Sequence, residues 1–189
     1  FKNSDVILIM GSNPASNHPV SWKWIQHAVD NRGAKIICVD PRITQSASKA
    51  HLYAPLRSGT DIAFLGGMIK YIIDNKLYFE EYVKNYTNAS FLVNPNLKLP
   101  GDNNGVFSGL VGSKYEKDTW SYQTGAGDVI KKDPTLSDPN CVFQLLKKHY
   151  SRYTPEVVSK ICGTPVEKLI EVYKLYGSTG KPDKAGVDL

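Results

Sequence analysis

Cysteines are few and widely spaced in this sequence. Its 189 residues include only three, Cys38, Cys141 and Cys162. Zinc and iron–sulfur sites held by one chain use closely spaced pairs such as Cys-x-x-Cys, so these cysteines argue against such a site. Cys38, in the apolar stretch IICVD, is predicted to be a small buried hydrophobic residue. A disulfide between the other two stays open, since nothing in the sequence predicts it.

Long apolar runs and targeting segments are also missing. No run of about 18 apolar residues occurs, so we expect no membrane-spanning segment. The sequence shows no secretory signal, twin-arginine segment or initiator methionine, and it opens with FKNSD shortly before a predicted strand. We therefore expect a piece of a longer protein or a processed product. The net charge of +5 is modest and the lysines are spread along the chain, which argues against a nucleic-acid partner and suits a phosphate-bearing ligand.

The glycine fingerprint of dinucleotide-binding folds is incomplete. In LIMGSNPASNHP (residues 8–19), an apolar run is followed by one glycine and a polar turn into a helix, as at a phosphate-binding edge. A Gly-x-Gly-x-x-Gly motif starting at Gly11 needs glycines where this chain has Asn13 and Ser16. The turn therefore raises the question of which ligand uses it without those glycines.

Buried strands and helices alternate in the first part of the chain. The apolar runs DVILIM (5–10) and KIICV (35–39) predict two strands of a parallel sheet that are buried on both faces. A helix beginning at Pro19 joins them, with Ser16 and Asn17 as capping candidates. Two further elements are predicted before residue 58, a short helix at 43–50 and a short third strand or extended connection at 51–57.

A longer helix, capped by Thr60 and Asp61, is predicted next. Gly66 and Gly67 inside it would each destabilise a helix by about 1 kcal/mol relative to alanine, so they indicate close backbone packing. Another short helix is predicted at 78–86.

Residues 92–139 lack periodicity and are rich in glycine, asparagine, proline, serine and aspartate. So long an irregular stretch predicts an insertion with a surface or partner role. Three aromatic residues are candidates to anchor it, Tyr115, Trp120 and Tyr122.

Helices resume at 141–150. Thr154 and Thr164 each precede a proline and are predicted caps of two more helices, and Glu167 would complete a capping box in the second. The tail 177–189 is predicted to be loop-like, with the start of another strand left open.

The predicted fold is α/β, with a Rossmann-like parallel sheet flanked by helices, a long irregular insertion and a C-terminal helical part. We expect a Rossmann-like unit at 1–91, the insertion at 92–139 and the helical part of the same domain at 140–189.

Three loops follow the three strand-like segments: GSN (11–13), DPR (40–42) and SGTD (58–61). In an open parallel sheet such loops gather at the carboxyl ends of the strands, where ligands bind. A helix N-terminus after the first loop favours a pyrophosphate. A carboxylate such as Asp61 matches the N1–H and amine edge of guanine, which adenine lacks. Each acidic residue could equally be an ordinary helix cap, and Arg42 a surface ion pair.

Four segments resemble a known family, the catalytic alpha subunits of respiratory formate dehydrogenases in the dimethyl sulfoxide reductase superfamily of molybdenum or tungsten enzymes. The segments are MGSNPASNHP, AKIICVDPR, YAPLRSGTDIAFLGGMIKYII and EEYVKNYTNASF. Three others, FSG, KYEKDTWSYQ and SRYTPEVVSKICGTP, resemble the membrane-associated branch. The resemblance covers nearly the whole chain and implies that its Rossmann-like domain binds a molybdopterin guanine dinucleotide through a Gly-x-Asn turn.

The resemblance assigns roles along the three loops. Gly11, Ser12 and Asn13 would approach the phosphates, with Ser16, Asn17 and His18 lining the turn. The remaining predicted residues would surround the ribose and complete the guanine pocket: Asp40, Pro41, Arg42, Gly59 and Asp61. His18 is expected to set the turn rather than to transfer protons.

The active subunits of that family also need features that no segment here resembles. These are a four-cysteine [4Fe–4S] motif, a selenocysteine or cysteine on the metal, a neighbouring histidine and a substrate arginine. We therefore predict no catalytic residue and no metal ligand in this chain, and no activity for the chain alone. The resemblance implies a periplasmic parent that oxidises formate to carbon dioxide. Its expected partners are the remaining alpha-subunit domains and an iron–sulfur beta subunit, with no nucleic acid.

Two alternatives stay open at this stage. The chain could be the same domain of another molybdopterin oxidoreductase, such as a nitrate reductase. It could also be a stand-alone module that binds a guanine nucleotide.

Overall fold

A three-stranded parallel sheet lies at the centre of the first half of the chain, as the predicted α/β class requires. The computed structural model describes residues 1–179. The strands are β1 (Val6–Met10), β2 (Lys35–Val39) and β3 (Leu52–Ala54), with β2 between the other two. Their register pairs Met10 with Val39, and Val39 with Ala54, so the three strands end at the same edge of the sheet.

Helices connect the strands and complete the chain. In the described residues they are α1 (Pro14–Asn17), α2 (Pro19–Arg32), α3 (Gln45–Ser48), α4 (Asp61–Asp74), α5 (Glu80–Tyr86), α6 (Val142–Tyr150), α7 (Pro155–Cys162) and α8 (Val166–Gly177). In this part of the chain, no helix combines the length and the apolar character that crossing a bilayer requires.

The two faces of the sheet are covered by different helices. Because side chains alternate along a strand, Ile36 and Cys38 point to one face, where they pack with Ile25 and Ala28 of α2. Ile37 and Val39 point to the other face, into a core built from α4, α7 and α8. This burial on both faces explains the continuous apolar character of β2.

The paired glycines of α4 allow close packing, as predicted. A Cβ atom on Gly66 would lie 3.0 Å from the ring of Tyr153. On Gly67 it would lie 2.6 Å from the hydroxyl oxygen of Tyr173, which is fully buried and donates a hydrogen bond to the carbonyl of Phe64 at 2.8 Å. The lost helix propensity is therefore offset by tertiary contacts.

The described chain divides into two compact units, one formed by 1–78 with 150–179 and the other by 79–149. The predicted domain boundaries after residues 91 and 139 stay a prediction.

The second unit contains little regular structure besides α5 and α6, as predicted for residues 92–139. Short 3₁₀ turns and a two-residue hairpin, Leu110–Val111 with Lys114–Tyr115, occupy that stretch. Trp120 packs on Phe107 and Tyr115 at ring-centroid distances of 5.5 and 5.2 Å. The aromatic anchors thus contact other residues of the same unit.

Several predictions at the helix ends were wrong. Ser16 and Asn17 do not cap α2, because they belong to the separate helix α1 and His18 occupies the N-cap position. Thr164 does not cap α8. Its buried hydroxyl donates to the carbonyl of Pro55 instead, and Pro165 is the N-cap residue. In contrast, Thr154 caps α7 as predicted, accepting from the amide of Val157. The tail prediction for 180–189 lies outside the described residues.

Candidate functional site

The predicted loops lie at the carboxyl edge of the sheet. The amide of Gly11 donates to the carbonyl of Val39 at 3.2 Å, and the amide of Asp40 donates to the carbonyl of Ala54 at 3.4 Å. These two bonds extend the strand pairing by one step beyond β1 and β2. The three loops therefore follow the carboxyl ends of three paired strands, as the parallel topology requires.

Gly11 begins the first loop in a left-handed conformation. Its φ is +61°, which side-chain-bearing residues rarely adopt, and a Cβ at this position would have no heavy atom within 4 Å. The glycine is thus required by the turn of the backbone and leaves open space beside it. Ser12, which follows, is exposed. A backbone turn with free space and an exposed hydroxyl suits the close approach of a phosphate.

Asn13 joins the first loop to α3. Its side-chain oxygen accepts from the amide of Ser46 at 3.1 Å and from the Ser46 hydroxyl at 2.9 Å. Its side-chain nitrogen donates to Ser16 Oγ at 2.9 Å, and Ser16 in turn donates to Gln45 Oε1 at 2.6 Å. The buried Ser46 hydroxyl also accepts from the amide of Ala15 at 3.0 Å. This network gives the turn a fixed shape without the second and third fingerprint glycines.

His18 joins α1 to α2 through its backbone. Its amide donates to the carbonyl of Pro14, and its own carbonyl accepts from the hydroxyl of Ser21, both at 3.0 Å. The side chains of Asn17 and His18 are exposed and line an open cavity with Val20 and Trp24. The role of the His18 side chain in setting the turn stays a prediction.

Asp40 shapes the second loop from a buried position. Only 7% of its surface is exposed, and its Oδ1 accepts from the amide of Arg42 at 2.9 Å. Its carbonyl accepts from the Tyr53 hydroxyl at 2.8 Å. Burial, followed by the charge of Asp40, raises the pKa of Tyr53, which keeps this hydroxyl a donor. Pro41 and Arg42 are exposed, and no residue in 1–179 binds the Arg42 guanidinium.

The third loop presents Asp61 at the start of α4. Gly59 has a φ of +81°, and the Thr60 hydroxyl donates to the carbonyl of Arg57 at 2.6 Å rather than capping the helix. Asp61 is exposed, and within the described part of the chain its carboxylate has no partner. It is therefore available to a ligand. Asn13 and Ser16 are bonded to α3, and Asp40 is bonded to Arg42 within the second loop, whereas the Asp61 carboxylate makes no such bond in residues 1–179.

Three residues with a structural role at this edge were not predicted: Ser46, Arg57 and Thr164. Ser46 is the partner of Asn13, and the other two hold the loop after β3. Their partners lie from 33 to 109 residues away in sequence, so no local pattern indicated them.

The side chains at this edge offer hydrogen bonds and charge to a ligand. In residues 1–179, no group of three or more histidine, cysteine, aspartate or glutamate side chains could hold a metal ion. The nearby thiol is a poor nucleophile, because burial, and then the charge of Asp40, raises the pKa of Cys38 to about 11. Residues 79–149 carry equal numbers of basic and acidic side chains, so the net charge of +5 belongs to the unit that contains these loops. That unit suits an anion.

Comparisons with known proteins agree on one family. The family model described as "Molybdopterin oxidoreductase" matches residues 1–149. Formate dehydrogenase subunit alpha of Megalodesulfovibrio gigas is 54% identical over 188 residues, which are 98% of this chain and 18% of that protein. The nitrate-inducible formate dehydrogenase major subunit of Escherichia coli K12 is 47% identical over 186 residues, which are 97% of this chain and again 18% of the relative. The chain thus spans less than a fifth of the length of these relatives.

A solved structure shares the fold. Acetylene hydratase from Pelobacter acetylenicus superposes with a TM-score of 0.58 at 24% sequence identity, covering 90% of this chain and 16% of that chain. At this identity the likeness shows the fold alone.

Proposed function

The chain belongs to the molybdopterin oxidoreductase family, and on that premise we propose that it binds the guanosine diphosphate end of a molybdopterin guanine dinucleotide. The observation that carries this proposal is the meeting of the three loops at one sheet edge, with Gly11 in a left-handed turn and Asp61 unpartnered among residues 1–179. The turn supplies an anion-binding backbone, and the carboxylate supplies a base-recognising acceptor.

The residues present fit this half of the cofactor. Open space beside Gly11 admits a phosphate oxygen that a side chain would exclude, and Ser12 offers a hydroxyl there. The exposed Arg42 would pair with a phosphate or stack on a base. Asp40, held in its own turn, and Pro41 would border the ribose, and Gly59 would shape the base pocket in front of Asp61. Asn13, Ser16, Asn17 and His18 would hold or line the phosphate turn.

For the parent protein we propose formate dehydrogenase activity. Both named relatives are formate dehydrogenases, and each matches nearly the whole chain. Formate would lose a proton and two electrons to give carbon dioxide. The bound cofactor would carry the metal that accepts those electrons, and a [4Fe–4S] cluster would pass them to a beta subunit. This chain would contribute a cofactor-binding wall, and the catalytic groups would come from other domains of the same subunit, in the periplasm.

Calorimetric titration of the purified chain with GDP and ADP tests the binding role. We expect GDP to bind more tightly, because only guanine offers two parallel donors to Asp61. Asp61→Asn replaces one carboxylate oxygen with an NH₂ group, which removes the negative charge and places a donor opposite a guanine donor. It should therefore weaken GDP binding by about tenfold or more and leave ADP binding unchanged.

Asp74→Asn is the matched control, since Asp74 is the last residue of the same helix and pairs with Lys70. It should change neither affinity. Equal affinity of the unmodified chain for GDP and ADP, or equal losses for both in Asp61→Asn, would contradict guanine recognition by Asp61.

A further inference from the structure

The turn between α7 and α8 holds the loop that follows β3. We propose that Arg57 and Thr164 are positioning residues that fix the Asp61 loop and thereby set the selectivity for guanine. This inference rests on the proposed function. Neither residue belongs to the predicted binding set, and both act through the backbone between Pro55 and Asp61.

Arg57 binds the C-terminal end of α7. Its Nη1 donates to the carbonyls of Lys160 and Ile161 at 2.9 and 3.2 Å, and its amide donates to the carbonyl of Cys162 at 2.7 Å. The last carbonyls of a helix lack intrahelical partners and carry partial negative charge. A guanidinium there both donates hydrogen bonds to these carbonyls and balances their charge. Arg57, which directly precedes the loop 58–61, is thus bound by its side chain and its backbone.

Gly163 keeps this contact close. Its φ is +78°, and a Cβ there would lie 3.3 Å from Arg57 Nε. The left-handed glycine that ends α7 therefore leaves the space that the guanidinium uses.

Thr164 provides the second attachment. Its hydroxyl is fully buried and donates to the carbonyl of Pro55, two residues before Arg57. The carbonyl of Pro55 lies just after the end of β3, so this bond fixes where the chain leaves the sheet. The same turn between α7 and α8 thus binds the loop at Pro55 and at Arg57.

The loop is tied to Arg57. Ser58 and Gly59 are exposed, the hydroxyl and the amide of Thr60 both donate to the carbonyl of Arg57, and the N-cap of α4 has no side-chain hydrogen bond. A shift of Arg57 would therefore be passed through Thr60 to Asp61. The first loop is held by a different set, Asn13 with Ser46. Loss of Arg57 or Thr164 should accordingly affect base recognition and leave phosphate binding intact.

The test compares Arg57→Ala and Thr164→Val with Thr164→Ser, which keeps the hydroxyl. Arg32→Ala is the matched control, because Arg32 makes a surface ion pair with Asp5 at the opposite edge of the sheet. Each variant is titrated with GDP and ADP, and amide hydrogen exchange is measured without ligand. The amides of Thr60 and Ala63 report on the loop, since they donate to the carbonyls of Arg57 and Thr60.

We expect the GDP affinity to fall by about tenfold in Arg57→Ala and Thr164→Val, with no change for ADP, for Thr164→Ser or for Arg32→Ala. Exchange at Thr60 and Ala63 should speed up in the same two variants, and exchange at Ser46 should stay constant. Unchanged exchange at Thr60 and Ala63 in both variants would overturn the inference. Equal loss of GDP and ADP binding would do the same, since it would indicate general unfolding.

The two proposals fail in different ways. If the unmodified chain binds neither nucleotide, the binding role proposed for the chain is contradicted, and the exchange rates alone decide whether Arg57 and Thr164 position the loop. If the unmodified chain prefers GDP and both variants keep that preference, the binding role stands and the positioning role is wrong.

Discussion

The side-chain oxygen of Asn13 accepts two hydrogen bonds from one residue, Ser46, at 3.1 Å from its amide nitrogen and 2.9 Å from its hydroxyl. This pair answers the question raised by the missing glycines. A glycine-rich turn obtains its shape from backbone freedom, whereas this turn obtains it from a side chain that binds the start of a neighbouring helix.

Asn13→Ala should therefore destabilise the chain and weaken nucleotide binding without changing base preference. It leaves the buried Ser46 hydroxyl and amide without their acceptor, and we expect a loss of about 1–3 kcal/mol in the free energy of unfolding. GDP and ADP affinities should fall by the same factor, because the first loop faces the phosphates. Urea unfolding and calorimetry measure the two effects. Asn31→Ala, at an exposed amide bonded to a carbonyl of its own helix, is the control. A GDP-specific loss would contradict the assignment of this loop to the phosphates.

His51 should make the first unit less stable in acid. Its Nδ1 accepts from the amide of Ile36 at 3.1 Å, and burial, then the charge of Lys35, lowers its pKa below the usual 6.5. A histidine with a lowered pKa in the folded chain gives its full stabilisation above pH 6.5. That stabilisation is lost as the pH falls through the lower folded-state pKa.

His51→Asn keeps an acceptor near the same place and cannot be protonated. Its stability should therefore change less than that of the unmodified chain between pH 7 and about 5, as measured by urea unfolding at each pH. His27→Asn is the control, because His27 is exposed on α2. Parallel pH profiles for the unmodified chain and His51→Asn would show that His51 does not carry the effect.

Gly67→Ala should destabilise the chain although alanine favours helices. The added methyl would lie 2.6 Å from the Tyr173 hydroxyl oxygen and 2.8 Å from Val158 Cγ2, closer than such atoms can approach. Overpacking of this kind costs about 1–3 kcal/mol, which exceeds the gain of about 1 kcal/mol in helix propensity. Thermal unfolding measures the net effect. Gly101→Ala, where a Cβ would meet nothing within 4 Å, should be close to neutral. An unfolding temperature for Gly67→Ala at or above that of the unmodified chain would refute the packing argument.

The three cysteines should be unreactive while the chain is folded. Each is fully buried and free, and burial is the largest cause of the raised pKa values of Cys38 and Cys141. At pH 8 a thiol reagent should modify almost none of them in native protein and all three in denaturant. Rapid labelling of one thiol in native protein would show that its site opens locally. Repeating the labelling on Cys38→Ser would then show whether Cys38 is the reactive thiol.

Elements with a clear period were predictable from the sequence. The runs at 5–10 and 35–39 became β1 and β2. Buried positions alternate along β1, as the pleat requires, and the continuous burial of Ile36 to Val39 in β2 reflects a strand that is covered on both faces. Gly66 and Gly67 were also informative, because two glycines in a strongly apolar helix need a packing partner. The partners themselves, Tyr153 and Tyr173, were not predictable because they come from the other end of the chain.

Helix caps were the weakest part of the prediction. Thr154 and Thr164 precede proline in the same way, and only Thr154 is a cap. The difference lies in what each hydroxyl can reach. Thr164 is fully buried and its hydroxyl donates to the carbonyl of Pro55, and a buried hydroxyl without a partner would cost more than a lost cap.

The sequence by itself determined the α/β class, the parallel strands and the position of Gly11, Asp40 and Asp61 in the loops after them. Hydrophobic periodicity and chain order are local properties, and they suffice for that. The tertiary structure decided how those loops are held: Asn13 by Ser46, and the Asp61 loop by Arg57 and Thr164. These bonds join residues far apart in sequence, and their partners become available only when packing brings helix ends to the edge of the sheet.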